Sequence, residues 1–133
     1  MDKANDSARI VLKLDFGFGR DVGPGKVRLL ELIDEYGSIA AAGRAMGMSY
    51  RRAWLLVDSL NTSFAEAAVT TQLGGRGGGG AALTEFGRDL AGAFREMERD
   101  ARNAVEERLL ALEEAVRRGF MASTGRVEAR QEA

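Results

Sequence analysis

Two adjacent arginines, Arg51 and Arg52, follow Ser49 and Tyr50, and a single arginine, Arg76, stands inside the glycine run Gly74–Gly80. These are the side chains best suited to chemistry in the sequence. A guanidinium presents a planar fork of donors that matches phosphate oxygens and the acceptor edge of guanine. The Ser49 and Tyr50 hydroxyls can bond phosphate, and Tyr50 can stack on a sugar. Glycines such as Gly77 and Gly78 let a backbone approach an anion closely, with Arg76 supplying the charge. The chemistry in prospect is recognition of a polyanion.

Bond-breaking chemistry finds little support. The sequence has no cysteine and no histidine, which excludes disulfides, thiol catalysis and the usual zinc sites and removes the commonest general base. No carboxylate pair stands out from the even spread of acid near the C-terminus. Gly75, Gly77 and Gly80 satisfy a G-x-G-x-x-G spacing, but almost any run this rich in glycine would. A dinucleotide site also needs a second parallel strand after the following helix, and none is expected. A P-loop fails because no Lys-Ser or Lys-Thr follows the last glycine. We expect no enzyme, no metal and no cofactor.

The arginines need elements to hold them. From Gly37 to Asn61 the sequence reads as two short helices around a tight turn. Gly37 ends the preceding helix, and Ser38 and Ser49 can each cap a new one. Ala40, Ala41, Ala42, Gly43 and Ala45 make the first helix thin enough for close approach, and Gly47 supplies the turn. Ala53, Trp54, Val57 and Leu60 recur at helical spacing and are expected in the core. Arg51 and Arg52 then fall in the exposed first turn of the second helix. Two cations there oppose the macrodipole, so helix stability does not account for them. This is the layout of a helix-turn-helix, whose second helix enters a DNA major groove by its N-terminal end.

The flanks complete a small α+β domain. Arg9–Phe16 alternates apolar and polar residues and reads as a half-buried strand. Pro24 suits the first turn of a helix running to about Tyr36, with Val27, Leu29, Leu30, Leu32, Ile33 and Tyr36 as its apolar stripe. Val69–Leu73 and Ala81–Leu83 form two short extended segments around the glycine run, a hairpin too poor in apolar residues to stand alone. The strand near Ile10 is its expected third partner. Beside a helix-turn-helix, such a hairpin is a wing.

Thr84 can cap the last helix, and no proline interrupts the sequence up to Arg118. Phe86, Leu90, Phe94, Met97, Ala101, Val105, Leu109, Leu112 and Val116 are spaced by three or four. At ~1.5 Å per residue, a helix over residues 84–118 would reach roughly 52 Å. That exceeds what a small domain can cover, so a second copy of the chain is the expected partner of its stripe. The expected organisation is a disordered segment 1–8, a winged helix-turn-helix 9–83, a dimerisation helix 84–118 and a flexible tail 119–133.

The net charge of −1 is unevenly placed. Arg44 to Arg76 holds four basic residues against two acidic ones, whereas Thr84 to Arg118 holds nine acidic against seven basic. A local patch sets the field that a phosphate meets. That patch is weak, which again favours two copies. No apolar run approaches the ~20 residues of a membrane span, and the N-terminus lacks a signal-peptide pattern, so no membrane contact and a cytoplasmic location are expected.

The segments GSIAAAGRAMGMSYRRAWLLVDSLN and AVTTQLGGRGGGGAALTEFGRDL carry a more specific signal. Gly37-Ser38-Ile39, Gly47 with Met48-Ser49-Tyr50, Ala53-Trp54, Asn61, the glycine run, Leu83-Thr84 and Gly87 resemble the N-terminal winged-helix domain of the ModE family of molybdate-responsive transcription regulators. The resemblance covers roughly residues 9 to 115. It implies a homodimer joined through its helices and bound to double-stranded DNA, with Ser49, Tyr50, Arg51 and Arg52 in the groove. It also implies Arg76, Gly77 and Gly78 on the backbone. Such regulators carry C-terminal oxyanion-binding domains, and no segment of this sequence matches one. Constitutive action, another signal, or a separate sensor protein as partner would then set its activity. Two other readings are a regulator that senses a ligand or oxyanion at its dimer interface, and a protein-interaction module built on the long helix.

Overall fold

The computed structural model describes residues 7–72 and 79–132, with backbone alone for 124–132. Eight elements follow in order: β1 (Leu14–Asp15), β2 (Asp21–Val22), α1 (Pro24–Tyr36), α2 (Ile39–Ala45), α3 (Tyr50–Ser63), β3 (Val69–Gln72), β4 (Gly80–Leu83) and α4 (Glu85–Glu132). The chain divides into two compact units, Val11–Glu98 and the pair of segments Met1–Ile10 with Arg99–Ala133. The first unit is an α+β winged helix, and α4 is the long C-terminal helix.

Helix α1 begins where Pro24 fixes the backbone and ends at Gly37, whose φ of 68° continues no helix. Its buried stripe is Val27, Leu29, Leu30, Leu32 and Ile33, and Tyr36 lies half exposed beyond the end of it. Ser38 caps α2 by accepting from the Ala41 amide at 3.1 Å, and Ser49 caps α3 by accepting from the Arg52 amide at 3.1 Å. Between them Gly47 takes a φ of 71°, a left-handed turn that glycine adopts without strain. Gly43 brings the helices together: a Cβ there would sit 2.9 Å from the Ala53 Cβ, closer than two carbons can approach. The core gathers these faces with Val22, Leu60, Ala68, Val69, Leu83 and Phe94.

The strands differ from expectation in one respect. Residues 9–16 are not a full strand, and they do not join the hairpin. Only Leu14 and Asp15 are in a ladder, opposite Val22 and Asp21. Gly17, Phe18 and Gly19 all take positive φ and turn the chain straight back, leaving too few residues for a longer ladder. The alternation read from the sequence survives as burial, with Leu12 and Leu14 packed on the core and Val11 and Lys13 outside. The hairpin β3–β4 pairs Val69 with Leu83 through Gln72 with Gly80. The Ala81 amide donates instead to the Gly37 carbonyl at 2.9 Å, so the α1–α2 corner stands where a third strand was expected.

Two polar ties hold the hairpin and α4 within this unit. The Asn61 side chain accepts from the Ala68 and Val69 amides at 2.8 and 3.0 Å and donates to the Val69 carbonyl at 3.0 Å. Arg95 donates through both Nε and Nη2 to the Glu31 carboxylate at 3.0 and 2.9 Å, a fork that joins α4 to α1. That guanidinium holds the Glu31 carboxyl below its usual range.

In the second unit, α4 carries Leu110, Leu112 and Val116 with their side chains mostly exposed. Ala8 is tied there through its carbonyl to Arg102 and its amide to Glu113. The helix also passes through the expected tail and reaches Glu132. Gly119 alone does not stop it, because Met121, Ala122, Glu128, Ala129 and Arg130 are strong helix formers and no proline intervenes.

Candidate nucleic-acid interface

Ser49, Tyr50, Arg51 and Arg52 come together at the start of α3, and all four are exposed. The placement follows from the buried stripe. Ala53, Val57 and Leu60 form the face of α3 against the core; Arg51 and Arg52 point away from that face, and Ser49 and Tyr50 are exposed at the helix start. The Ser49 oxygen serves as the cap acceptor, which leaves its hydroxyl proton to donate outward. The first turn of α3 contains no acidic residue. Among the described residues, no carboxylate lies within ion-pair distance of Arg44, Arg51 or Arg52. Arg76, Gly77 and Gly78 lie outside the described residues.

Trp54 departs from expectation. It is 46% exposed and stands outside the core. Each helical residue advances about 100°, so Trp54 falls one step past Ala53 and leaves the Ala53–Val57–Leu60 stripe. It shares the outer face with Tyr50, four residues before it. The two aromatics line a cleft of about 400 Å³ together with Ser38 on the α2 side and Thr71, Gln72 and Gly80 of the hairpin. A second, more open depression of about 360 Å³ is bordered by Tyr50, Arg51 and Trp54. Both strands that flank the glycine run therefore border the outer face of α3. In the sequence Trp54 is assigned to the core, and Thr71 and Gln72 are not singled out as candidate contacts. The offset of Trp54 from its stripe was the available signal for the first, and nothing local marked the other two.

The perturbed ionisable groups belong to structural ties and not to this surface. Hydrogen bonds from Lys26 and Lys13 lower the Asp21 carboxyl to about 2. The Lys26 ammonium, at 3.0 Å from Asp21, also donates to the Ser59 hydroxyl of α3 at 3.0 Å. Among the described residues, no group of three or more acidic side chains could hold a metal ion, and no helix is long and apolar enough to cross a membrane.

A capped helix pair, an outward arginine-bearing first turn and an adjacent hairpin define a winged helix-turn-helix. Known proteins narrow the class. The chain is 35% identical over 95 residues to the molybdenum transport protein ModE of Azotobacter vinelandii, covering 71% of this chain and 35% of that protein. It is 45% identical over 73 residues to the molybdenum-pterin-binding protein MopA of Rhodobacter capsulatus, covering 55% and 28%. To the DNA-binding transcriptional dual regulator ModE of Escherichia coli K12 it is 35% identical over 83 residues, covering 62% and 32%. No family model matches the chain. The chain spans about a third of the length of these relatives. Its winged helix-turn-helix belongs to the ModE family.

Proposed function

We infer that this protein is a transcription regulator that reads double-stranded DNA as a homodimer, in a role tied to molybdenum. The observation that carries the reading is the first turn of α3. Arg51 and Arg52 are exposed there and unpaired among the described residues, and that turn holds no acidic residue. In a winged helix-turn-helix that turn faces the major groove. Ser49 and Tyr50 position it on phosphates, and Arg76, with Gly77 and Gly78, contacts the backbone from the segment joining β3 to β4. The names of the relatives support both the regulatory role and the molybdenum connection.

Dimerisation is supported by the apolar side chains that α4 exposes at Leu110, Leu112 and Val116. A second copy would bury them and double the modest basic patch. DNA-bound protein in the cytoplasm follows from that role.

Fluorescence anisotropy against a randomised duplex pool, with selection and repeats across salt, tests the reading. A two-fold symmetric site with half-sites about one helical turn apart, and affinity falling steeply with salt, is the expected result. Arg51→Ala should remove about 1–3 kcal/mol of discrimination at one base position per half-site. Arg76→Ala should weaken all sequences alike. Absence of salt-sensitive binding at low ionic strength would refute the function.

A further inference from the structure

Two aromatic side chains stand exposed beside the arginines of α3. Tyr50 and Trp54 are 59% and 46% exposed, and they lie one turn apart on the same side of the helix. The fold does not use them as core, since the buried face of α3 is completed by Ala53, Val57 and Leu60. Their rings form two walls of the depression whose third wall is Arg51. An apolar corner beside a guanidinium with no ion-pair partner among the described residues has one natural counterpart in a major groove. Thymine alone presents an apolar group there, its C5-methyl, while guanine presents the acceptor pair that arginine forks.

We propose that Tyr50 and Trp54 form a seat for a thymine methyl group, next to the guanine read by Arg51. The seat rests on the DNA-reading function above and assigns to it a base class: a thymine adjacent to guanine in each half-site. Charge favours DNA as occupant over an apolar protein partner. The cations at Arg51 and Arg52 have no carboxylate partner among the described residues, and the first turn of α3 carries no acid that would repel phosphates.

The test uses the full chain and the duplex selected from the randomised pool. Each thymine of the half-site is replaced in turn by deoxyuridine, which removes the methyl and keeps the hydrogen-bonding edge. One position per half-site should lose about fourfold in affinity per methyl removed. Trp54→Ala should erase that sensitivity, and Trp54→Phe should keep part of it. Tyr50→Phe should retain it, because the seat uses the ring and not the hydroxyl. Helicity by circular dichroism should be unchanged in all three variants. Tolerance of deoxyuridine at every position, by protein that still binds the site with steep salt dependence, would overturn the seat and leave DNA reading intact. An undiminished methyl effect in Trp54→Ala would remove the assignment to this pair. Failure to bind any duplex in a salt-sensitive way would remove the seat together with the function beneath it.

Discussion

Replacing Asn61 with alanine should destabilise the protein by about 3 kcal/mol, and the hairpin should be the first part to loosen. The Asn61 side chain makes three hydrogen bonds to the backbone at the start of β3: two accepted from Ala68 and Val69, and one donated to Val69. Ala68 and Val69 are buried, so water cannot readily replace the lost partner. At about 1 kcal/mol for each bond, the net loss is about 3 kcal/mol, and it rises where a buried N–H is left stranded. Asn61→Asp provides a graded control. A carboxylate still accepts both amide protons, but it loses the donated bond and sets an anionic oxygen against the Val69 carbonyl. A loss of about 1–2 kcal/mol is expected. Urea denaturation followed by far-ultraviolet circular dichroism, at one fixed protein concentration, measures both. Because Asn61 links α3 to β3, the alanine variant should also bind DNA more weakly even where it remains folded. Equal losses for the alanine and aspartate variants, or an alanine loss below 1 kcal/mol, would refute the claim that this side chain fixes the hairpin to α3.

Gly87→Ala should destabilise despite alanine's better helix propensity, since the new Cβ would collide with the Ala68 carbonyl oxygen and fall 3.0 Å from its carbon. Gly92→Ala in the same helix meets nothing within 4 Å and should instead stabilise by about 0.5–1 kcal/mol, as thermal melts of the pair would show. The Asp21 carboxyl is lowered to about 2 by its lysine partners, so its contribution is complete above the ordinary carboxylate value of about 4 and is lost as pH falls from there toward 2. Asp21→Asn should flatten the acid limb of stability over that window, read from urea melts at successive pH values. Leu112→Glu combined with Val116→Glu should convert a dimer to a helical monomer in light scattering, because both side chains are largely exposed on α4. An unchanged mass would place the dimer contact elsewhere.

What the sequence determined is local. Caps, turns and helix periods depend on residues within a few positions of one another. Gly37, Ser38, Gly47 and Ser49 therefore announced the helix-turn-helix, and the glycine run announced a hairpin. The exposure of Ser49, Tyr50, Arg51 and Arg52 followed from their place at the capped start of α3. Three features needed the tertiary structure. The alternation at residues 9–16 specified which side chains turn inward but not whether a partner strand exists, and the α1–α2 corner took that place through the bond from Ala81 to Gly37. Trp54 was grouped with Ala53, Val57 and Leu60 by apolar helical spacing and so placed in the core, although it lies one step off the buried stripe. The offset was legible in the sequence, but the close packing of Ala53 against Gly43 is what fixes which side of α3 is buried. Lastly, the joining of Tyr50 and Trp54 to Thr71 and Gln72 in one cleft brings together residues far apart in sequence. Periodicity carries no record of such a meeting, because it arises only when the hairpin and the helix pair fold together.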